Sequence, residues 1–194
     1  MLSFLKDPEA LSFCNKAVKI DPLLRYAYAY KGMALQNLGK HREASASFNK
    51  VLKIDPSDTD YHALTDKAYS LRQLDDFNGA IACCDKALAI DPNDTVALRH
   101  MASALISLKD FNGAIACCDK ALAIDPKDLV SLRNKGTALE QLGDYDGAIA
   151  ICDDMLAIDP NDAATVITKA ELKQKKQDAN LVAHVSDKVG TAGC

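Results

Sequence analysis

Adjacent cysteines are the residues of this sequence whose types and spacing best suit chemistry. The segment DFNGAIACCDKALAIDP occurs twice, word for word, at Asp76–Pro92 and Asp110–Pro126, and each copy carries a Cys-Cys pair. Paired thiols could bind a metal ion, form a disulfide or act as a redox switch. The alternative is that they have no chemical role and are buried as small apolar side chains.

The spacing of the thiols favours burial. Adjacent residues of a helix point about 100° apart, so a Cys-Cys pair cannot readily hold one metal ion. A disulfide needs Cα atoms within about 7 Å, whereas equivalent positions on stacked helices lie about 10 Å apart. The sequence contains neither a CxxC nor an HxxxH motif. We therefore expect no metal and no cofactor, and we expect the cysteines to pack in a core.

The elements that hold these cysteines form an internal repeat. The tripeptide Ile-Asp-Pro recurs five times, with prolines 34, 36, 34 and 34 residues apart. With this proline at repeat position 32, complete repeats span 25–58, 61–94, 95–128 and 129–162. Each repeat holds two apolar stripes of helical period, the second ending before Asp-Pro, because proline cannot continue a helix. Small residues at positions 8 and 20 allow the two helices to approach closely.

This pattern resembles the tetratricopeptide repeat family. The resemblance lies in the 34-residue period, the small residue at position 8, Ala at 20, Pro at 32 and the string GDYDGAIAICDDMLAIDPND at 143–162, and it covers roughly residues 7–175. It implies an all-α fold, an α-solenoid in which antiparallel helix pairs stack into a right-handed superhelix with a concave inner face. The family's usual Trp at position 4 is replaced here by Tyr28, Leu64, Leu98 and Leu132.

The two ends depart from the pattern. Residues 1–24 match only the second helix of a repeat, and we favour a fragment of a longer array over an unusual cap. Residues 163–177 are predicted to form a capping helix with a polar outer face. The remaining residues, 178–194, are predicted to form a tail with a short amphipathic segment at Leu181–Val189. Apolar surface at either end would promote self-association.

The sequence contains no set of residues typical of an enzyme active site. The sequence has no Gly-rich phosphate loop and no GxSxG motif, and its aspartates fall mostly at turns and helix caps. A net charge of −4 without a basic stripe argues against nucleic-acid binding. No apolar run approaches the roughly 20 residues that span a bilayer. Seven cysteines and the absence of a leader-like start favour a reducing, cytoplasmic location.

The resemblance implies that a partner binds the concave face, formed by positions 2, 5, 9, 12 and 13 of the first helices. The side chains predicted to bind are Tyr26, Met33, His62, Tyr69, Arg72, Arg99, Ser103, Arg133, Thr137 and Gln141. Arginines and aromatic rings suit an extended peptide of acidic character. The alternative is that these side chains are merely solvated.

We therefore expect a non-catalytic protein–protein interaction scaffold that binds a peptide or partner protein in its groove. The second hypothesis is a self-assembling structural array, a homo-oligomer formed through exposed terminal repeats.

Overall fold

The computed structural model describes the backbone of residues 8–54 and 61–191 and the side chains of residues 9–54 and 62–182. Within these ranges the chain forms ten helices and no strand, which confirms the expected all-α class. The helices are α1 Pro8–Ile20, α2 Arg25–Asn37, α3 His41–Ile54, α4 Tyr61–Arg72, α5 Phe77–Ile90, α6 Thr95–Ser107, α7 Phe111–Ile124, α8 Leu129–Gln141, α9 Tyr145–Ile158 and α10 Ala163–Thr191.

The contacts divide the chain into two compact units. The first unit, residues 1–108, contains α1 to α6, and the second unit, residues 109–194, contains α7 to α10. In each unit every helix packs on the next one along the chain, and in the first unit α2 also contacts α4 and α4 contacts α6. Short connections between packed helices make the neighbours antiparallel. The boundary between the units falls inside the predicted repeat 95–128.

A left-handed residue turns the chain between the two helices of a pair. Gly39 and Gly143 hold this place with φ of 72° and 79°, a conformation that costs glycine little. At the same repeat position stand Asp75, with φ of 59°, and Lys109, with φ of 64°. A lysine there carries the steric penalty that the left-handed region imposes on a residue with a Cβ. The turn geometry is therefore kept even where the sequence lacks the residue that suits it best.

Aspartates begin the helices, as their positions predict. Before each of three second helices, the carboxylate of Asp76, Asp110 or Asp144 accepts a hydrogen bond of 2.9 Å from a glycine N–H three residues later. A Cβ added to Gly113 would lie 2.5 Å from the Asp110 carboxylate, so the close approach requires glycine. The aspartate at repeat position 34 likewise caps α6, α8 and α10.

The core consists of alanine, leucine and cysteine, and it confirms the expected burial of the paired cysteines. Cys84 and Cys118 are fully buried at repeat position 24, where Phe48 is also fully buried, and their neighbours Cys83 and Cys117 are buried as well. The six described cysteines are free thiols. Burial raises the pKa of Cys83, and it raises the pKa of Cys118 to about 12. A thiol with such a pKa stays protonated and unreactive near neutral pH.

The C-terminal region differs from the predicted capping helix followed by a separate tail. One helix, α10, runs from Ala163 to Thr191 without a break near residue 177. The run KQKKQDAN is polar, but its residues are compatible with a helix and it contains neither glycine nor proline, so polarity alone does not end the helix. Of the predicted amphipathic segment, Leu181 is exposed, and the side chains of Val185 and Val189 lie outside the described residues.

Lysines attach α10 to the rest of the second unit. Lys169 pairs with Asp153, Lys176 pairs with Asp146, and the ammonium of Lys175 lies 2.6 Å from the Glu140 carboxylate. The predicted polar outer face thus includes two lysines, Lys175 and Lys176, that also make ion pairs with α8 and α9. Leu172 adds an apolar contact with Ala148 and Cys152 of α9.

Candidate partner-binding surface

The first helices of the first unit carry seven of the predicted binding residues, with unequal exposure. The Tyr26 side chain is 63% exposed, and the Arg25 guanidinium lies 4.8 Å from the centroid of its ring. His62 is exposed. Met33 is half-buried and packs on a core cluster that includes Leu35 and Phe48, so only part of this side chain can reach a partner. Of these three side chains, the two exposed ones, Tyr26 and His62, are aromatic.

Aromatic rings and an arginine meet between α4 and α6. The ring of Tyr69 lies 5.8 Å from His41 in an edge-on arrangement and 5.7 Å from His100. The Arg72 guanidinium lies 5.7 Å from the centroid of Tyr69 and donates a hydrogen bond to the hydroxyl of Ser103. We call Tyr69, Arg72, Arg99, His100 and Ser103 the arginine–aromatic cluster. It brings together four of the predicted residues.

Sequence analysis did not identify the two histidines that extend this cluster. His41 stands at the position of the aromatic residue that opens other second helices, and His100 lies next to the predicted Arg99. The repeat position of His100 could have predicted its contact with Tyr69. His100 is at position 6 of its repeat, and this position faces position 9 of the preceding repeat, which is occupied by Tyr69.

The arginine–aromatic cluster is positively charged. The pKa of His100 is lowered to about 4, chiefly by burial and then by the nearby charges of Arg72 and Arg99. The imidazole is therefore neutral near pH 7, while both guanidinium groups keep their charge. The Nε atom of Arg72 is buried and has no hydrogen-bond acceptor in the described part of the chain. The Nε atom of Arg99 donates to the Thr95 carbonyl at 3.2 Å.

A glutamine makes the corresponding connection one repeat earlier. The side-chain amide of Gln36 donates to the Asp66 carbonyl at 2.6 Å and to the Ser70 hydroxyl at 2.9 Å. Gln36 and Arg72 share repeat position 12, and both bind to the next first helix. Side chains at this position therefore hold neighbouring repeats together as well as facing the predicted binding surface.

The second unit holds the other three predicted residues. Arg133 and Gln141 are exposed on α8, and the Thr137 hydroxyl donates to the Arg133 carbonyl at 3.0 Å. The pKa of Asp162 is lowered chiefly by the hydrogen bond from the Thr165 hydroxyl, with a smaller contribution from the charge of Arg133. Beside these residues α8, α9 and α10 enclose a cavity of about 310 Å³.

Among residues 9–54 and 62–182, no three histidine, cysteine or acidic side chains are grouped closely enough to hold a metal ion. In the same part of the chain, no helix combines the length and the apolar character needed to cross a bilayer.

Helix pairs with left-handed turns, small residues at their crossings and proline after each second helix define an α-helical repeat protein. One matching family model, described as "Psidin, N-terminal TPR repeats region", covers residues 5–114. A second, described as "Tetratricopeptide repeat", covers residues 101–163. The chain therefore belongs to the tetratricopeptide repeat family.

Solved structures show the same fold. A tetratricopeptide repeat protein from Parabacteroides merdae is 20% identical, and the match covers 94% of this chain and 72% of that chain with a TM-score of 0.75. MamA from Desulfovibrio magneticus is 19% identical over 86% of this chain and 93% of that one, with a TM-score of 0.72. YrrB, described as having an unusual peptide-binding site, is 20% identical over 84% and 82%, with a TM-score of 0.70.

No curated protein sequence matches this chain.

Proposed function

We propose that this chain is a non-catalytic scaffold that binds a peptide or a partner protein on the surface of its first helices. The contrast between its helices supports this function. The second helices α5 and α7 have identical sequences, whereas α6 and α8 differ at eight of their thirteen positions. The likeness to YrrB, whose structure is described by its peptide-binding site, is also consistent with it. The free, buried thiols favour a cytoplasmic location.

The observation that carries the proposal is the unsatisfied Nε atom of Arg72. The Arg72 side chain is half-buried, and a buried donor of a charged group without an acceptor is costly, because it has lost its hydration. Arg72 and Arg99 both lower the pKa of His100, so each places a positive charge near this ring. An acidic side chain of a partner would be attracted to these two positive charges, with the aromatic rings beside them offering further contact area. The proposed partner is therefore a peptide or protein segment of acidic character.

Binding of charge-matched peptides tests this function. We expect fluorescence anisotropy to show binding of acidic peptides in preference to neutral or basic ones, with an affinity that falls as salt is added. Arg99→Glu should weaken binding of the acidic peptide by about tenfold or more, because it replaces an attraction with a repulsion. Arg133→Glu examines the second unit in the same way.

The matched control is Arg42→Glu, which makes the same charge change at an exposed site on a second helix. It should leave the affinity nearly unchanged. Equal losses in the Arg99 and Arg42 variants would show that only net charge matters, and equal binding of acidic and basic peptides would contradict the proposal.

A second candidate function, self-assembly, is favoured by the exposure of Phe13. This ring on α1 is 56% exposed, whereas the residues at the same repeat position in the four complete repeats are all buried. Those residues are Ser47, Cys83, Cys117 and Ile151. Ile20 and Leu23 are also exposed nearby, at 85% and 72%. We propose that this apolar surface can pack on a second copy of the chain.

Light scattering over a range of protein concentrations tests self-assembly. We expect the measured mass to rise with protein concentration. Phe13→Glu should return the mass to the value of the monomer. Ala150→Glu, which adds the same charge on an exposed face of α9, is the control and should still associate. A mass equal to that of the monomer at every concentration would rule this function out.

A further inference from the structure

The cavity in the second unit lies in the seam between the first helices α8 and α10, with α9 behind it. Its volume is about 310 Å³. Its floor includes Leu132, Ile151 and Leu172, which are 3%, 7% and 3% exposed. Thr137 from α8 and Thr168 from α10 line its walls. We call this cavity the threonine pocket. An apolar floor under polar walls is the usual construction of a ligand site, and the volume is at the lower end for such sites.

The same seam in the first unit contains aromatic rings. Thr137 occupies repeat position 9, where the first unit has Tyr69, and Thr168 occupies position 6 of the following repeat, where the first unit has His100. The Tyr69 and His100 rings lie 5.7 Å apart between α4 and α6. Two threonines cannot fill that volume. Gly136 also lines the pocket, where the first unit has Ala68, and a Cβ added to this glycine would lie 3.3 Å from Ile151.

Polar contacts lie at both ends of the threonine pocket. At one end the Lys175 ammonium lies 2.6 Å from the Glu140 carboxylate, joining α10 to α8. At the other end the Asp162 carboxylate accepts a hydrogen bond of 2.6 Å from the Thr165 hydroxyl, which fixes the start of α10.

The hydrogen bonds of the walls determine which ligand fits. The Thr137 hydroxyl donates to the Arg133 carbonyl at 3.0 Å, and the Thr168 hydroxyl donates to the Ala164 carbonyl at 3.0 Å. The Glu140 carboxylate is engaged by Lys175. Because these wall groups already have hydrogen-bond or ion-pair partners within the chain, they do not require a polar ligand. An apolar cavity of about 150 Å³ accommodates benzene, so a pocket of about twice that volume has room for an indole ring.

We propose that the threonine pocket binds one aromatic side chain of a peptide partner, in the place that Tyr69 and His100 fill in the first unit. This inference rests on the proposed function in taking a peptide as the ligand. It adds a site in the second unit that needs neither Arg72 nor Arg99. The peptide's aromatic residue would bury its ring against Leu132, Ile151 and Leu172 and displace water from an apolar floor.

Amide NMR of the full chain tests the pocket with defined probes. N-acetyl-tryptophanamide should produce saturable shifts at the amides of Thr137, Thr168 and Leu172, whereas N-acetyl-alaninamide at the same concentration should not. Thr168→Tyr places a ring in the pocket from an exposed position on α10. It should weaken tryptophanamide binding by at least tenfold. The double variant Thr137→Tyr/Thr168→His copies the first unit and should do the same while raising Tm.

The control variant is Ala150→Tyr, which adds a ring on an exposed face of α9 outside the pocket lining and should keep wild-type binding. Three results would overturn the proposal. They are an absence of saturable shifts at the pocket amides, equal binding of tryptophanamide by the filled variants, and equal shifts from alaninamide. Shifts of the same amides with protein concentration alone would also overturn it, because the occupant would then be a second copy.

The two proposals fail separately. If acidic peptides bind in an Arg99-dependent manner while tryptophanamide does not bind, the pocket is excluded and the scaffold function remains. If tryptophanamide binds but acidic and basic peptides bind alike, the acidic partner is excluded and the pocket remains.

Discussion

At the scale of single residues, one buried carboxylate oxygen shows where the repeat pattern is incomplete. Asp94 caps α6 through Oδ1, and its Oδ2 is buried without a hydrogen-bond partner in the described part of the chain. In α8 and α10 the equivalent oxygen accepts a hydrogen bond of 2.6 Å from Ser131 or Thr165. Ala97 stands at that repeat position in α6 and cannot donate.

We therefore expect Ala97→Ser to raise the free energy of unfolding by about 1 kcal/mol, since it supplies a donor to an unsatisfied buried acceptor. Urea denaturation of the variant and the wild type measures this. Ala104→Ser makes the same change at another buried site on α6 and should not stabilise the protein. Equal effects of the two substitutions would contradict the assignment of Asp94 Oδ2 as unsatisfied.

His100 should make stability depend on pH between 6.5 and 4. Its pKa in the folded chain is lowered to about 4, chiefly by burial and then by the charges of Arg72 and Arg99. Above pH 6.5 the imidazole is neutral in both states, and as the pH falls only the unfolded state gains the proton, so stability is lost. Between pH 7.5 and 5.5 this loss is about 1.3 kcal/mol.

The measurement is urea denaturation of wild type and His100→Gln at pH 7.5 and 5.5. The glutamine variant should lose less stability than the wild type by that amount, because it lacks the titrating group. Identical pH dependence in the two proteins would show that His100 titrates normally when folded.

At the scale of elements, the turns between paired helices should respond to the residue at the left-handed position. Lys109→Gly is expected to stabilise the chain by about 1 kcal/mol, since glycine adopts a φ of 64° without the penalty that lysine bears. Asp75→Gly should gain less, because aspartate tolerates this region better. Thermal denaturation provides the comparison.

Gly143→Ala is the converse test and should destabilise the protein, because φ there is 79°. Stabilisation by alanine, or destabilisation by Lys109→Gly, would contradict the argument from turn geometry.

The sequence predicts the second helices better than the surface of the first ones. Helical period, capping aspartates and the terminating proline are local signals. They were sufficient to predict that Cys84 and Cys118 are buried. The ring pair of Tyr69 and His100 depends on the register between two repeats, which no single helix encodes. The threonine pocket follows from the same register. The sequence analysis predicts the end of a helix at a polar run, whereas α10 continues through this run.

At the scale of the whole molecule, the two units use equivalent positions differently. In the first unit, side chains of the chain itself fill the seam between α4 and α6 and leave a cationic cluster at its edge. In the second unit the corresponding seam between α8 and α10 is open. The repeated second helices form the shared framework, and the first helices carry the differences. Specificity for a partner should therefore reside in the first helices of both units.

The most direct test of this account is a map of amide shifts caused by an acidic peptide on the full-length chain. The account predicts that the shifts concentrate on first helices, above all around Tyr69, Arg99 and Ser103, and disappear in Arg99→Glu. Shifts that instead cluster on the exposed faces of the second helices α5 and α7, with the first helices unaffected, would contradict it.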